Sequence, residues 1–262
     1  MNFWGWGGTL SSVSLELLVL GTGAGRSAVY DGQVSSSFVL LAGDEPLCLV
    51  DLGLGVGQAA LRALGRMPRH FVITHNHSDH AAELPVVLRV EAAAGQLCHV
   101  YAEQEVAGRL IRHRMAEHRE AVDPETLAIW RKPAAGQAQA LGGGLVDELE
   151  IIFQPGLHTE RCCGFVIYRA KQALLAYTGD SEVDPVFFDW LAQAPVFILD
   201  GRPEKRPGHP SFEELRPWLE GGRRYLLGHG LGIPEVEVWR REGWPLLLAG
   251  DRIPLKTSWL EG

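Results

Sequence analysis

The chain has 262 residues, with 24 Lys and Arg against 32 Asp and Glu, a formal charge of −8, and 46% hydrophobic residues. That is material for one large domain or two small ones. The acidic balance excludes a protein that coats duplex DNA by charge alone, no apolar run approaches the roughly 20 residues of a membrane span, and the aromatic content excludes disorder.

Apolar runs bounded by turn residues recur along the chain and read as strands. They lie at 15–20, 38–41, 47–50, 71–74, 97–101, 149–153, 164–168, 174–178, 196–199, 225–227 and 245–249. Helical periodicity falls between several of them, at 56–64, 81–94, 104–119, 124–130, 185–191, 212–219 and 234–241. The early strands run without helices and strand–helix alternation follows. This predicts a layered α/β protein with mixed sheets, not a doubly wound parallel sheet. The glycine-rich break at 141–144 reads as a surface turn inside one domain spanning 1–262.

The stretch 104–119 carries Arg109, Arg112, His113, Arg114, His118 and Arg119 among Glu103, Glu105, Glu117 and Glu120. Two readings stay open: a basic flank to an anionic substrate site, or a solvated ion-paired helix. The segment 103–132 is expected to serve as a lid or a dimer surface. Four cysteines are too few for a disulfide framework in a chain this long. Cys48 and Cys98 lie in apolar runs as buried free thiols do, and Cys162-Cys163 has no second pair with which to build a zinc site. No basic residue precedes Arg26, so the N-terminus Met1–Trp6 does not read as a secretory signal, and a reducing cytoplasm is expected.

The chemistry concentrates in Thr74-His75-Asn76-His77-Ser78-Asp79-His80, directly after the apolar run 71–73. Three imidazoles and a carboxylate within six residues are hard to explain by packing, because buried His needs a partner and neighbouring imidazolium ions repel. A turn after a strand can instead point alternate side chains at divalent ions, for which imidazole and carboxylate are suitable ligands. By comparison His70 and His99 read as structural. Arg26 and Arg202 are candidate phosphate contacts, since guanidinium suits phosphate oxygens.

The pattern His-x-His-x-Asp-His at a strand end resembles the metallo-β-lactamase fold hydrolases. Four further segments occur in the order that family has them: Leu49-Val50-Asp51-Leu52-Gly53, Gly156-Leu157-His158-Thr159, Thr178-Gly179-Asp180-Ser181 and Leu227-Gly228-His229-Gly230. The resemblance implies a four-layer αββα sandwich of two mixed sheets. It assigns His75, His77 and His158 to one metal and Asp79, His80 and His229 to the other. Asp180 would bridge them, and Asp51 would orient a ligand from behind. Two divalent ions, Zn²⁺ or alternatively Mn²⁺, would share a hydroxide and neutralise charge on the attacked group.

Two further segments resemble the RNase Z group, which includes tRNA 3′-end endonucleases and cyclic-phosphate phosphodiesterases. One is the turn Leu20-Gly21-Thr22-Gly23-Ala24-Gly25; taken alone it is equally a weak phosphate-binding sign or a tight structural turn. The other is Gly208-His209-Pro210-Ser211-Phe212-Glu213-Glu214. By that resemblance His209, aided by Asp200, would protonate the leaving oxygen, as an alkoxide leaving phosphorus requires. Asp79, His209 and Asp200 would then carry the catalysis. Only 21 residues separate His158 from Asp180, which leaves no room for a tRNA-gripping arm.

The expectation is a dinuclear metal-dependent phosphodiesterase acting on a cyclic nucleotide, a cyclic sugar phosphate or short RNA. A lactone, thioester or ester hydrolase on the same metals is the alternative, and a non-catalytic metal-binding protein is a third reading. A small-molecule substrate, no duplex DNA, no membrane and a family-like homodimer complete it.

Overall fold

The computed structural model describes residues 14–142, 146 and 148–255, so Met1–Trp6 and the Gly143-Gly144 half of the glycine-rich break lie outside the described residues. Strands β1 (Leu15–Gly21), β2 (Ser37–Ala42) and β3 (Glu45–Val50) run as an antiparallel meander. From β3 onward the pairing turns parallel, through β4 (His70–Val72), β5 (Cys98–Tyr101) and β6 (Ala128–Arg131). Parallel neighbours need crossovers. These are α2 (Val56–Leu64), the short α3 (Ser78–Ala81) with α4 (Leu84–Ala93), and α5 (Gln104–Arg112) with 3-10 turns at Arg114–His118 and Pro124–Leu127.

The second sheet repeats this plan. β7 (Gln139–Ala140), β8 (Leu149–Pro155), β9 (Cys163–Arg169) and β10 (Gln172–Tyr177) are antiparallel. β11 (Val196–Asp200) and β12 (Arg223–Leu227) then add in parallel, after α6 (Pro185–Leu191) and α7 (Phe212–Leu219). Helix α8 (Ile233–Arg241) follows, and β13 (Arg252–Leu255) returns to pair with β1. The orders are β13-β1-β2-β3-β4-β5-β6 and β12-β11-β10-β9-β8-β7, and both sheets are mixed.

Near-continuous apolar strands are what a sheet covered on both faces requires. In β11, Val196 and Ile198 join the core between the sheets, while Phe197 and Leu199 pack with Phe188 of α6 and Phe212 of α7. On the far side, Val56, Leu88 and Val106 of α2, α4 and α5 cover the first sheet. The result is the expected αββα sandwich. Aromatic edges tie its halves together: Phe38 meets Tyr177 with ring centroids 5.3 Å apart, Tyr177 meets Phe165 at 5.9 Å, and Phe165 meets Phe153 at 6.0 Å.

Several elements differ from the sequence reading. The stretch 245–249 is not a strand. Pro245 has no N–H to offer a ladder, and only one bridge, Leu226 to Leu246, forms there; the edge strand is β13 instead. The helix expected at 124–130 is a 3-10 turn that becomes β6, where Ile129 and Trp130 suit a pleated surface. The helix expected at 81–94 breaks at Glu83, whose carboxylate turns back to accept the Gly55 and Gly57 amides at 2.6 and 2.7 Å. Pro85 then opens α4, a position where its missing N–H is harmless. Likewise the 104–119 helix stops at Arg112 and continues as a 3-10 turn. Helix α1 (Gly25–Tyr30), unread in the sequence, emerges directly from the glycine-rich turn.

Phe165 lies at the centre of the ring series and is fully buried. Phe165→Ala should therefore cost about 3–5 kcal/mol of stability, read as a lowered urea midpoint. A loss under about 1 kcal/mol would mean that the inter-sheet core does not depend on it.

Candidate metal centre

Strands β1, β3 and β4 end at one edge of the first sheet, and β8, β10, β11 and β12 end at the matching edge of the second. Asp51 follows β3, Thr74–His80 follow β4, His158 follows β8, Asp180 follows β10, Asp200 ends β11 and His229 follows β12. Residues from 51 to 229 thus meet in one place because strand ends do. Glycine makes the approach possible: a Cβ on Gly53 would lie 1.9 Å from the Asp79 carbonyl oxygen. One on Gly208, whose φ is +80°, would lie 2.5 Å from the His158 ring.

Three overlapping groups of close ligand atoms result, one of them Asp180, Asp200, His209 and His229. His75, His77, His158 and Asp180 form the first, with His75 Nε2 and His158 Nε2 at 3.0 and 3.1 Å from His77 Nδ1. The tautomers are set from outside. His158 Nδ1 donates to the Gly208 carbonyl at 3.1 Å, so its Nε2 presents a lone pair. Ring nitrogens that converge on one point as acceptors satisfy nothing in each other; a cation fits between them. Asp79, His80 and His229 form the second cluster, and Asp180 Oδ1 reaches His80 Nε2 at 3.4 Å and His229 Nδ1 at 3.6 Å. His80 Nε2 and Asp180 Oδ1 are buried without a hydrogen-bond partner among the described residues, as expected of atoms left open for ions. The donor set therefore fits divalent metal.

Asp51 and Asp200 lie behind these clusters. Asp51 Oδ2 accepts the His80 Nδ1 proton at 2.8 Å, and Oδ1 accepts the Thr74 amide at 2.8 Å. Asp51 has φ +58°, a conformation that its carboxylate bonds hold in place. Asp200 Oδ2 accepts His209 Nδ1 at 2.7 Å, leaving His209 Nε2 facing Asp180 Oδ2 at 3.8 Å. Its other oxygen lies 2.8 Å from His229 Nδ1, out of line for a hydrogen bond, so this contact is ionic.

A family model described as a beta-lactamase superfamily domain matches residues 48–229, which hold every one of these side chains. The chain belongs to the beta-lactamase superfamily. Its architecture is similar to YhfI of Bacillus subtilis, a metallo-beta-lactamase fold protein, at TM-score 0.70 and 15% identity over 93% of this chain and 100% of that one. A diphosphatase of the PhnP family aligns at 0.67 and 18% over 92% and 98%, and the short form of human tRNase Z at 0.66 and 18% over 92% and 99%. Among curated proteins, none matches it in sequence.

The superfamily motifs account for most of the cluster, but not for what supports it. Thr74 Oγ1 lies 2.9 Å from Asp51 Oδ2 and 3.1 Å from His75 Nδ1. A hydroxyl that donates to a carboxylate must accept from the imidazole, so a single buried carboxylate orients His80 directly and His75 through Thr74. The glycine-rich turn is occupied too: the Gly25 amide donates to Asp79 Oδ2 at 2.9 Å, which makes this turn a support for Asp79. Glu160 sits 3.6 Å from His77 Nε2 and 3.6 Å from Arg109. Arg114 grips the side chain and carbonyl of Asn76, and Arg161 pairs with Glu103 at 3.0 Å. Arg114, and Arg109 through Glu160, thus brace the His-x-His loop, which favours the ion-paired reading for these two. Arg26 is exposed beside Asp31, and Arg202 lines a cavity adjoining His229. His70 and His99 stack on each other away from the site, and burial, with His99 and Arg131 nearby, pushes His70 down to about 4.

Electrostatics divide the imidazoles. Burial and then the His80 charge push His75 well below its usual range. Burial opposes charge on His229 as well, yet Asp180 and Asp200 outweigh it and raise the ring to about 10. His80 is raised well above normal in the same way, against burial, by Asp180 and Asp51. Asp180 in turn is held well below the usual carboxylate range, with burial overcome by His80 and His229.

Two outcomes follow from this arrangement. Thr74→Val should weaken divalent-ion binding at least about tenfold in a competitive chelator titration, and Thr74→Ser should restore it; unchanged affinity in the valine variant would remove Thr74 from the relay. In the metal-free protein, His229 stabilises the fold fully below about pH 6.5, and that contribution is lost as pH rises through about 10. Chelator-treated protein should therefore lose thermal stability across that window. Binding of divalent ions at pH 7 should release protons, measured by calorimetry in buffers of different ionisation heat.

Proposed function

We propose that the protein is a dinuclear metal-dependent hydrolase, and that its substrate is a small or cyclic phosphodiester. His75, His77 and His158 would hold one ion, Asp79, His80 and His229 the other, with Asp180 shared. Zinc suits this His and Asp donor set, and manganese is the alternative. When bound, two such ions supply charge neutralisation at the attacked group and a water of lowered pKa.

The observation that carries the phosphodiesterase reading is the His209–Asp200 pair. Asp200 anchors Nδ1 at 2.7 Å, so Nε2 is the end of the ring turned to the metal cluster, where it can hand a proton to a departing oxygen. An alkoxide leaving phosphorus needs that proton more than a leaving thiol or an activated ester does. A diphosphatase and a tRNase among the structural neighbours, and the motif resemblance to the RNase Z group, support the same class. The four free, buried cysteines suit a reducing cytoplasm, and no helix among the described residues is long and apolar enough to cross a membrane. We carry the homodimer as part of this reading, with the mass in solution against 28.7 kDa as its check.

The test combines substrates with a variant. Bis-p-nitrophenyl phosphate, cyclic nucleotides, a lactone and a thioester are assayed with and without chelator, and His209→Ala is compared with the wild type. Turnover of the cyclic nucleotides, which expel an alkoxide, should fall about 100-fold or more in the variant, bis-p-nitrophenyl phosphate should be affected far less, and metal content should stay near two ions per chain. Full activity of His209→Ala on the cyclic nucleotides removes the general acid. Turnover of the lactone or thioester alone moves the protein to the carboxyl-type class.

A further inference from the structure

One residue, Gly208, joins the metal cluster to the proposed general acid. Arg206 and His209 exchange both backbone hydrogen bonds, at 3.0 and 2.9 Å, and so close a turn around Pro207 and Gly208. Proline in the second place and a glycine with φ +80° in the third are what a type II turn asks for. The turn's own hydrogen bonds use neither the amide nor the carbonyl of Gly208. Gly208 is buried, so each group needs a partner from outside the turn. The carbonyl takes the Nδ1 proton of His158 at 3.1 Å, and the amide donates to Glu182 Oε1 at 2.9 Å.

Glu182 stands on a fixed base. Its amide donates to the Leu157 carbonyl at 2.7 Å, its carbonyl accepts Ser181 Oγ at 2.8 Å, and that hydroxyl accepts the Leu157 amide at 2.9 Å. Its second oxygen faces Lys205 at 3.9 Å, and Lys205 donates to Glu214 at 2.8 Å. Glu214 accepts the Ser211 amide at 2.9 Å, so carboxylates grip the chain on both sides of His209. The grip at Ser211 belongs to the cap of α7. The grip of Glu182 on Gly208 serves no helix. Asp200 fixes one nitrogen of the His209 ring, but a ring held at one point can still pivot as its backbone moves. The 3.8 Å between His209 Nε2 and Asp180 therefore depends on where residue 208 is held.

We propose that Glu182 is a positioning residue for the proton transfer. By accepting the Gly208 amide it sets where His209 Nε2 meets the leaving oxygen, and Gly208 ties that position to His158 of the first cluster. This rests on the phosphodiesterase reading and adds to it a residue outside the ligand set, with no hydrogen bond to His209 itself. Misplacing a catalytic group by about 1 Å can cost about 100-fold in rate. Loss of the Glu182 carboxylate therefore falls on the step that needs the proton, and spares substrates whose leaving group departs without one.

The test compares Glu182→Ala, Glu182→Gln and His209→Ala with the wild type, all metal-loaded, on two substrates. A cyclic nucleotide expels an alkoxide; bis-p-nitrophenyl phosphate expels a stable phenolate. In Glu182→Ala, kcat on the cyclic nucleotide should fall about tenfold or more, with KM within about twofold. On bis-p-nitrophenyl phosphate kcat should change less than about twofold. Glu182→Gln keeps an oxygen that can accept the Gly208 amide and should recover most of the loss. Equal losses on both substrates, a fall in metal content, or no recovery in the glutamine variant overturns the proposal. An impaired His209→Ala beside an unimpaired Glu182→Ala sinks this inference alone. Full activity of His209→Ala on the cyclic nucleotide, or no turnover of it by the wild type, sinks the phosphodiesterase reading and this inference together. A second measurement needs no turnover: hydrogen exchange of the Gly208 amide, followed by NMR in chelator-treated protein. It should quicken about tenfold or more in Glu182→Ala and stay slow in Glu182→Gln, and unchanged exchange in the alanine variant overturns the grip.

Discussion

Three carboxylates, on Asp51, Asp180 and Asp200, are buried to within 1% exposure at the seam between two sheets, and this is the constraint on which the site depends. An isolated carboxylate in such a place is prohibitively costly. Each is tolerable because imidazoles and backbone donors arrive from several strand ends at once. Asp51 takes the Thr74 amide and the His80 ring; Asp200 takes His209 and faces His229; Asp180 lies among five histidines. The left-handed backbone at Asp51 and the side-chain-free surfaces at Gly53 and Gly208 are local concessions to that gathering.

The parts legible in the sequence were those that a strand end announces. Asp51, the His75–His80 run, His158, Asp180 and His229 each follow an apolar run within a few residues, so pattern and chemistry coincide there. Helices 56–64, 185–191 and 212–219 were equally plain because their periodicity is uninterrupted. The supports were not legible. Thr74 is an ordinary strand residue until its hydroxyl is found between a ring and a carboxylate. The contact of Asp200 with His229 joins residues 29 positions apart and has no local signature. β13 is not legible in the sequence because Arg252–Leu255 alternates exposed and buried residues, as an edge strand does, while the more apolar 245–249 has the pattern of a strand.

The segment from Glu103 to Arg131 illustrates how charge runs mislead. Its arginines suggest an anion-binding face, yet Arg109 and Arg114 are turned inward onto Glu160 and the His-x-His loop. Among the described residues, Arg202 and Arg206, in the loop after β11, have no ion-pair partner, and that stretch has no charge periodicity. Net charge says nothing of the site itself, because the acidic excess of −8 includes buried carboxylates that face several imidazoles each.

The division of the cluster between sheets has a mechanical side. Asp51 and the His75–His80 run hang from the first sheet, while His158, Asp180, Asp200, His209 and His229 hang from the second. The groups His75, His77, His158, Asp180 and Asp79, His80, His229 each draw on both sheets, so an ion held there would be a bolt across the seam. Any ligand bound only by the native state adds to its stability. Stripping ions from such a site therefore loosens the grip of one half of the sandwich on the other, and a chelating inhibitor would act on the cohesion of the molecule as well as on its chemistry.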